Sequence, residues 1–497
     1  MFLSILVLLL PLDFLLNFAH DNSFHYIKIS DNISKGFGST FDGVNKTNGY
    51  QPLWIFILSL VFFVINKISI VSPEFIYRVC FIISVMFTAG AVLFLHFSFR
   101  NMPFLKNVNH LIIIAILLIS AFVLIRDVGT ETHLVCFVFS VFLYLKSLEI
   151  YKQNLKYPVL KSLLMVFLFL SRTDFILTVI PFMVISDIAL SGKELKSSLI
   201  INYSIFLATI LILYLSFNYL FFGNIITTSG YIEYSIPDIV FYKNLDTYFK
   251  CYSFMVNRIL FLSFFIITLL SYLLAYCFNK TEIDNQGIDK FLLIVGIGIF
   301  WFIVFNFFFN NYGLKEWYLT FPAFVSIIIL VRLLNAFKIN LNASYVISLI
   351  VLLTYFYVAR LKDYKFTYHY YYASQIKERV NKNDLIFQFN LTGITGFFSQ
   401  RNVIDGTGEV SSFEYLKYTR ENKLGEFLNK FNVKYYSTCS NTKINPEDSL
   451  FFDAENKILA NNFSFEFHRE NLFIQMPFYY NHPLYSEEGV WLMYRLK

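Results

Sequence analysis

The sequence predicts a polytopic, all-α membrane domain followed by a small α/β domain. Three observations predict it. Of the 497 residues 57% are hydrophobic and only 15% charged, against roughly 25% charged in soluble domains. Apolar runs of bilayer-crossing length recur along most of the chain. Beyond Asp363 those runs stop, while charged residues, Gly and Asn become more frequent. Residues 1–362 are therefore expected to form the membrane domain and 363–497 a soluble one.

Crossing the hydrocarbon takes about 20 apolar residues of helix, with about 17–25 tolerated. Runs that meet or approach this length are 2–18, 75–97, 110–126, 132–149, 158–171, 174–190, 198–221, 257–278, 290–308, 317–333 and 342–359, which makes about 11 transmembrane helices. The first run lacks a basic n-region and an A-x-A site, so an uncleaved span is expected. The stretch 51–66 is short and follows a Gly49–Tyr50–Gln51–Pro52 turn; it is expected to lie on the surface or to be re-entrant.

Basic loops give the orientation, because Lys and Arg collect on the cytoplasmic side. Lys146, Lys152, Lys156 and Lys161 mark one such loop, Lys193 and Lys196 a second, Lys280 and Lys290 a third, Arg332 and Lys338 a fourth. The N-terminus is then cytoplasmic. The loop 19–54, VGTET (128–132), SRTD (171–174), the 222–256 loop, NNYGLKEW (310–317) and the C-terminal domain fall on the outer, periplasmic or extracellular face of a cell (inner) membrane. The net charge of +6 reads as this loop bias, and no nucleic-acid partner is implied. Five cysteines without a CxxC pair suggest neither a disulfide framework nor a zinc site. No HExxH, P-loop or dinucleotide fingerprint is present. In the C-terminal part, 384–389 and 434–439 read as strands and 413–431 as an amphipathic helix.

The chemistry-bearing residues sit in the outer loops. Asp21 opens an amphipathic helix over Ser23–Lys35, with Phe24, Ile27 and Ile33 apolar and Lys28 and Lys35 polar. Lying in the interface plane, this helix would hold the Asp21 carboxylate at head-group depth; Asp21 equally suits an N-cap. Asp127, Glu131 and His133 share the next outer turn, where carboxylates need solvent, a cation or a partner; the turn reads either as an ordinary polar turn or as a site for a base or a divalent cation. Arg172 can clamp a phosphate through its planar fork or pair with Asp174. Lys315 is a candidate phosphate contact. Trp317 and Tyr318 serve either as a sugar platform or as interfacial belt residues.

Taken in order, D-N-S-F, N-I-S-K-G-F-G, N-G-Y-Q-P-L-W, V-G-T-E-T, S-R-T-D, W-Y-L-T-F-P and G-I-T-G-F-F-S-Q-R-N-V-I-D-G-T-G (393–408) resemble multi-pass glycosyltransferases of the C superfamily (GT-C fold). The nearest likeness is to bacterial polyprenyl-phosphate-sugar-dependent arabinofuranosyl- and mannosyltransferases. The resemblance implies transfer of a sugar from a polyprenyl-phosphate donor, at the outer face, to a hydroxyl of a cell-envelope glycan, lipid or protein, with inversion. It implies that Asp21 is the general base taking the acceptor hydroxyl proton, that Glu131 is catalytic with Arg172 and Lys315 in offsetting charge on the leaving phosphate, that Arg172, Asp174, Lys315, Trp317, Tyr318 and His133 bind substrate, and that a divalent cation (Mg or Mn) sits at Asp21 and Glu131 if one is used. In the family the first outer loop begins with two acidic residues; here the second is Asn22. Gly393, Gly396, Asp405 and Gly408 match the outer-domain signature, expected to shape the domain or an acceptor groove. The alternative is a transporter or flippase of lipid-linked sugars, which would place ionisable residues near the bilayer midplane.

Overall fold

The computed structural model describes residues 7–68, 71–102, 127–152, 157–241, 252–278, 287–336, 365–440, 450–456, 461–467, 472–482 and 485–496. The expected spans 110–126 and 342–359 lie outside the described residues. The chain is mostly helical. Five helices among the described residues are long and apolar enough to cross a membrane: Pro73–Asn101, Thr132–Lys152, Leu195–Phe222, Gly287–Phe309 and Trp317–Leu334.

The first expected span is not one helix. Helix breaks at Leu10–Pro11, because a proline inside a helix removes a backbone donor and clashes with the preceding turn, and resumes only as α1, Leu12–Leu16. The next helix, α2 (Asp21–Ser34), differs from an interfacial helix with a wet polar face: Ser23 to Asn32 are all buried, including His25, Lys28 and Asp31. It is sandwiched. On one side lies α3 (Pro52–Ile68), on the other the C-terminal domain. Lys28 accordingly loses solvent, and burial lowers its pKa to about 8.

Helix α3 runs beside α2 in the same direction. At its start Gln51 Oε1 accepts from Thr173 N (3.0 Å) and Trp54 Nε1 donates to Gly129 O (2.9 Å); near its end Asn66 donates to Asp31 and Ser34 of α2. It buries Trp54, Ile55, Leu58 and Phe62 and leaves Phe56, Leu60, Phe63, Val64 and Ile68 bare. The traverse of the bundle is made instead by α4 (Pro73–Asn101). It begins beside the C-terminal domain, where Tyr370 Oη donates to Glu74, and ends where Asn101 donates to Ser147.

The remaining bundle helices are α5 (Thr132–Lys152), α6 (Pro158–Ser171), α7 (Val179–Leu190), α8 (Lys193–Phe222), the short α9 (Thr228–Glu233), α10 (Tyr252–Phe278), α11 (Gly287–Phe309) and α12 (Thr320–Ala336). One-turn 3-10 segments at Thr173–Ile176 and Glu316–Leu319 precede α7 and α12. Helix α8 bares Ile201, Ile205, Ile212, Leu213 and Leu220 along its length, as a lipid-facing helix does.

Lys146 and Lys161, read from sequence as loop cations, are instead buried within α5 and α6. Each pairs with both Glu149 and Asp187 (2.5–3.0 Å), and Tyr203 and Ser191 close the network. Charges leave water only when paired in this way. Nearby in the fold order, Arg332 forks onto Asp289 (2.7 and 3.0 Å). Both networks occupy the bundle end opposite the turns carrying Glu131 and Arg172.

The C-terminal domain contains α13 (Lys365–Arg379), β1 (Leu385–Gln388), α14 (Thr392–Ser399), β2 (Asn402–Asp405), α15 (Phe413–Arg420), α16 (Leu424–Lys430), β3 (Val433–Ser440), β4 (Leu450–Asn456), β5 (Asn461–Phe467), β6 (Leu472–His482) and β7 (Tyr485–Arg495). Five strands form one mixed sheet in the order β2-β1-β3-β7-β6, with β4 and β5 paired separately. Strands β1, β2 and β3 run parallel, with Gln388 opposite Asp405. The single helix expected over 413–431 is two, because Asn422 takes a positive φ of 58° and Lys423 N turns back to Tyr418 O, a left-handed helix end that Asn tolerates. One hydrophobic core runs unbroken from the bundle through α2 into this domain, reaching Phe397, Ile474, Trp491 and Met493.

Candidate functional site

At one end of the bundle, turns far apart in sequence meet under the C-terminal domain. Ser23 Oγ donates to Val128 O (2.7 Å), and Val128 N to Phe18 O (3.1 Å). These bonds fix the VGTET turn against α2 and present Glu131. Arg172, at the end of α6, reaches it from the other side: Nη1 lies 3.3 Å from Glu131 Oε1 and Nε 3.1 Å from Asp174 Oδ1. The guanidinium rests 4.0 Å from the Tyr318 ring centroid and 5.0 Å from that of Phe302, a cation–π geometry. Burial would lower the Arg172 pKa, but Asp174 and Glu131 outweigh it and raise it.

Glu131 is compensated only in part, since Arg172 divides its charge between two carboxylates. Burial, opposed by Arg172, raises its pKa above the usual carboxylate range. Its Oε2 is buried and has no hydrogen bond of good geometry among the described residues. The Tyr26 phenol sits close by, and burial together with Glu131 raises the Tyr26 pKa well above its ordinary value.

Lys315 makes the second bridge. Its Nζ lies 2.7 Å from Glu233 of α9 and 3.0 Å from Glu409 of the C-terminal domain. Tyr318 Oη donates to the other Glu233 oxygen (3.0 Å), and Asn22 Nδ2 to the other Glu409 oxygen (3.4 Å). Burial opposes the charge on Lys315, yet Glu233 and Glu409 raise its pKa. A carboxylate from a remote domain thus stands beside Asn22.

Asp21 does cap a helix, but not its own. Its two oxygens accept from Gly393 N (3.1 Å) and Ile394 N (2.9 Å), the first exposed donors of α14. A helix N-terminus offers such free N–H groups and partial positive charge. His25 Nε2 lies 3.7 Å from Asp21 and 2.8 Å from Thr392 Oγ1. Burial raises the Asp21 pKa, against His25 and the two backbone donors, which lower it. The approach is close enough to require glycine: a Cβ on Gly393 would lie 2.2 Å from Asp21 O, and one on Gly49 1.9 Å from Glu409 O. The glycine signature therefore serves the joint between loop and domain. That joint lies at the carboxyl ends of β1 and β2, where open α/β sheets place their ligand sites.

The space enclosed is a polar cavity of about 40 Å³ bordered by Asn22, His25, Tyr26, Glu131, Glu233 and Glu409, with Gln51, Trp317 and Tyr318 also on its wall. Beside it runs an apolar groove of about 1030 Å³ between the Thr173–Leu177 turn, α8 and the 225–240 segment. Arg172 stands between the two, pairing with Glu131 on the cavity wall and with Asp174 on the groove wall, where Tyr234 Oη donates to Asp174 Oδ2 (3.2 Å).

The structure brings together Glu131, Arg172, Asp174, Lys315, Trp317 and Tyr318. Asp21 is one residue behind the cavity wall, committed to α14. His133 lies apart: its ring nitrogens face Thr88 Oγ1 (2.9 Å) and Asp127 O (3.0 Å) inside the bundle. Asp127 itself meets His20 (2.8 Å) and Thr320. Sequence reasoning missed His25, Tyr26, Glu233 and Glu409. Glu409 follows the D-G-T-G stretch directly and Glu233 lies in the 222–256 loop expected on the outer face, so position offered a signal and residue spacing none. The residues do not fit a shared cation at Asp21 and Glu131, because Asp21 holds backbone N–H groups and Glu131 Oε1 holds Arg172. Among the described residues no three His, Cys, Asp or Glu side chains gather as a ligand set. Compared with protein-family models and with curated proteins, the chain has no significant match to either.

Proposed function

We propose that this chain is an integral-membrane glycosyltransferase of GT-C type, moving a sugar from a polyprenyl-phosphate donor to a hydroxyl of a cell-envelope glycan, lipid or protein. The observation that carries the reading is the junction of a buried carboxylate cavity with a long apolar groove at one end of the helical bundle. A lipid-linked sugar has the same two halves: a chain that seeks apolar surface and a polar head that reacts. About eleven crossings, a cytoplasmic N-terminus and an outer C-terminal domain complete the reading.

Glu131 acts as the general base in place of the expected Asp21, whose two oxygens are held by backbone N–H groups of α14. Glu131 Oε2, beside the Tyr26 phenol, takes the acceptor hydroxyl proton as that oxygen attacks the anomeric carbon. The bond from that carbon to the phosphate oxygen breaks, and the lipid phosphate leaves with the electron pair. A base works best when its pKa approaches the working pH, and burial moves Glu131 in that direction. Arg172 and Asp174 hold it in place, and Trp317 and Tyr318 form the sugar-facing wall. The enclosed volume suits about one water molecule, so the cavity widens to admit the sugar while Lys315 keeps Glu233 and Glu409.

Translocation of lipid-linked sugars is the second reading; the buried Lys146–Glu149–Lys161–Asp187 network is ionisable, but it lies at a bundle end rather than at the midplane where a transporter would carry it. One assay separates them. Membranes containing the chain, supplied with a radiolabelled polyprenyl-phosphate sugar, should transfer label into an alkali-stable glycosidic product. Movement of intact donor without any new glycoside would overturn the transferase reading.

A further inference from the structure

Two cations meet the polar cavity, and both are already spent. Arg172 is shared between Glu131 and Asp174, and Lys315 between Glu233 and Glu409. A phosphate arriving there would have to displace a carboxylate from a buried pair, which leaves a charge uncompensated and is costly. The apolar groove has a different cation on its lining. Arg420, the last residue of α15, projects from the C-terminal domain onto Tyr231 of α9, its guanidinium carbon 4.0 Å from the ring centroid and Nη1 donating to the phenol oxygen. It is exposed and has no carboxylate partner among the described residues. Asp238, an acidic residue on the same lining, makes no ion pair with it.

The groove that Arg420 overlooks is walled by Leu177, Leu211, Leu215, Ile225, Ile236 and Ile239, and it borders the lipid-facing helix α8. Lys417, Asn224 and Glu421 share a recess of about 250 Å³ with Arg420 on its far side, the Glu421 carboxylate pairing with Lys423 (3.2 Å) rather than with Arg420. An aliphatic channel ending at one uncompensated guanidinium, stacked so that its fork is pre-oriented, matches an amphiphile with a long chain and a single anionic phosphate. Guanidinium binds phosphate oxygens in pairs. We infer that Arg420, stacked on Tyr231, binds the phosphate of the lipid-linked substrate, with the chain lying in the groove. The inference rests on the transfer reading for the identity of that substrate, and it gives the C-terminal domain a direct contact with the donor.

Binding to the full-length protein in detergent tests it, with decaprenyl monophosphate, uncharged decaprenol and inorganic phosphate as probes. Wild type should bind the monophosphate about tenfold or more tighter than decaprenol, the value of one charged hydrogen-bonded contact. Arg420→Gln should erase that preference while still binding decaprenol, and Lys430→Gln, an exposed cation of the same domain, should leave it unchanged. Millimolar inorganic phosphate should not compete, since it lacks the chain; full competition would make this a free-phosphate site and overturn the assignment to a lipid. A phosphate preference that survives Arg420→Gln overturns the inference. If that variant binds neither lipid, Arg420→Lys decides: it should retain part of the preference, and its complete loss alongside normal decaprenol binding would also count against the inference. Label transfer that stays intact while binding ignores Arg420 refutes this inference alone. Arg420-dependent binding without any transfer refutes the transferase reading alone.

Discussion

Glu131 and Asp21 are both buried carboxylates with raised pKa values, yet their oxygens are used differently. Asp21 holds two backbone donors of α14, whereas Glu131 shares an arginine and keeps Oε2 without a hydrogen bond of good geometry among the described residues. Their substitutions should separate. Asp21→Ala leaves two helix N–H groups unmet, at about 1–3 kcal/mol each, so the unfolding free energy of the purified protein should fall by about 2–6 kcal/mol; Asp21→Asn keeps one acceptor and should cost about half. Both carboxyls, raised by burial, share one linkage. A carboxyl whose folded pKa is raised contributes stability at low pH that is lost as pH rises through the folded value. Glu131→Gln should therefore melt no lower than wild type at neutral pH. Catalysis needs the ionised form, so transfer should decline as pH falls through that raised pKa, above the ordinary Glu value of 4.5. An initial-rate profile with its acid limb at or below 4.5 would remove Glu131 as the titrating base.

At the scale of elements, periodicity carried much of the information. The apolar spacing of α2 and the long apolar runs of α4 to α8 are visible in the chain, as are the short apolar segments of β1 and β3, with β1 buried on both faces. Burial on the second face is not visible. Lys28 and Lys35 read as a wet face of α2, and only the docking of α14 makes Lys28 an interior residue. Lys146 and Lys161 misled in the same way, as sequence cannot show Glu149 and Asp187 waiting opposite them. The glycine-rich stretch was legible as a signature but not as a joint. Gly393→Ala should force α14 away from Asp21, since the added carbon meets backbone at 2.2 Å. The expected outcome is faster protease cleavage between bundle and C-terminal domain, with the helices of the bundle still folded by circular dichroism; unchanged protection would show that the joint tolerates the displacement.

For the whole molecule, the site exists only because separate segments converge. The 19–54 segment contributes Asn22, His25, Tyr26, Gly49 and Gln51, and the turn at 131, α9, the 315–318 turn and the segment after β2 add one or two groups each. A sequence orders these segments without showing that they meet, which is why Glu233 and Glu409 escaped notice while Arg172 and Lys315, set in motif-like turns, did not. The convergence also fixes relative orientation. Val44→Cys at the site end and Leu160→Cys at the opposite end, both exposed, should react with a membrane-impermeant thiol reagent from opposite sides, Val44→Cys from outside; labelling of both from one side would refute the proposed orientation. The most direct measurement of the central claim compares turnover of Glu131→Gln with that of wild type, using labelled polyprenyl-phosphate sugar and equal amounts of folded protein. A loss of about 10²–10⁴-fold, the usual contribution of a general base, with an undiminished melting temperature, is the expected result. Transfer by Glu131→Gln at close to the wild-type rate would contradict the account.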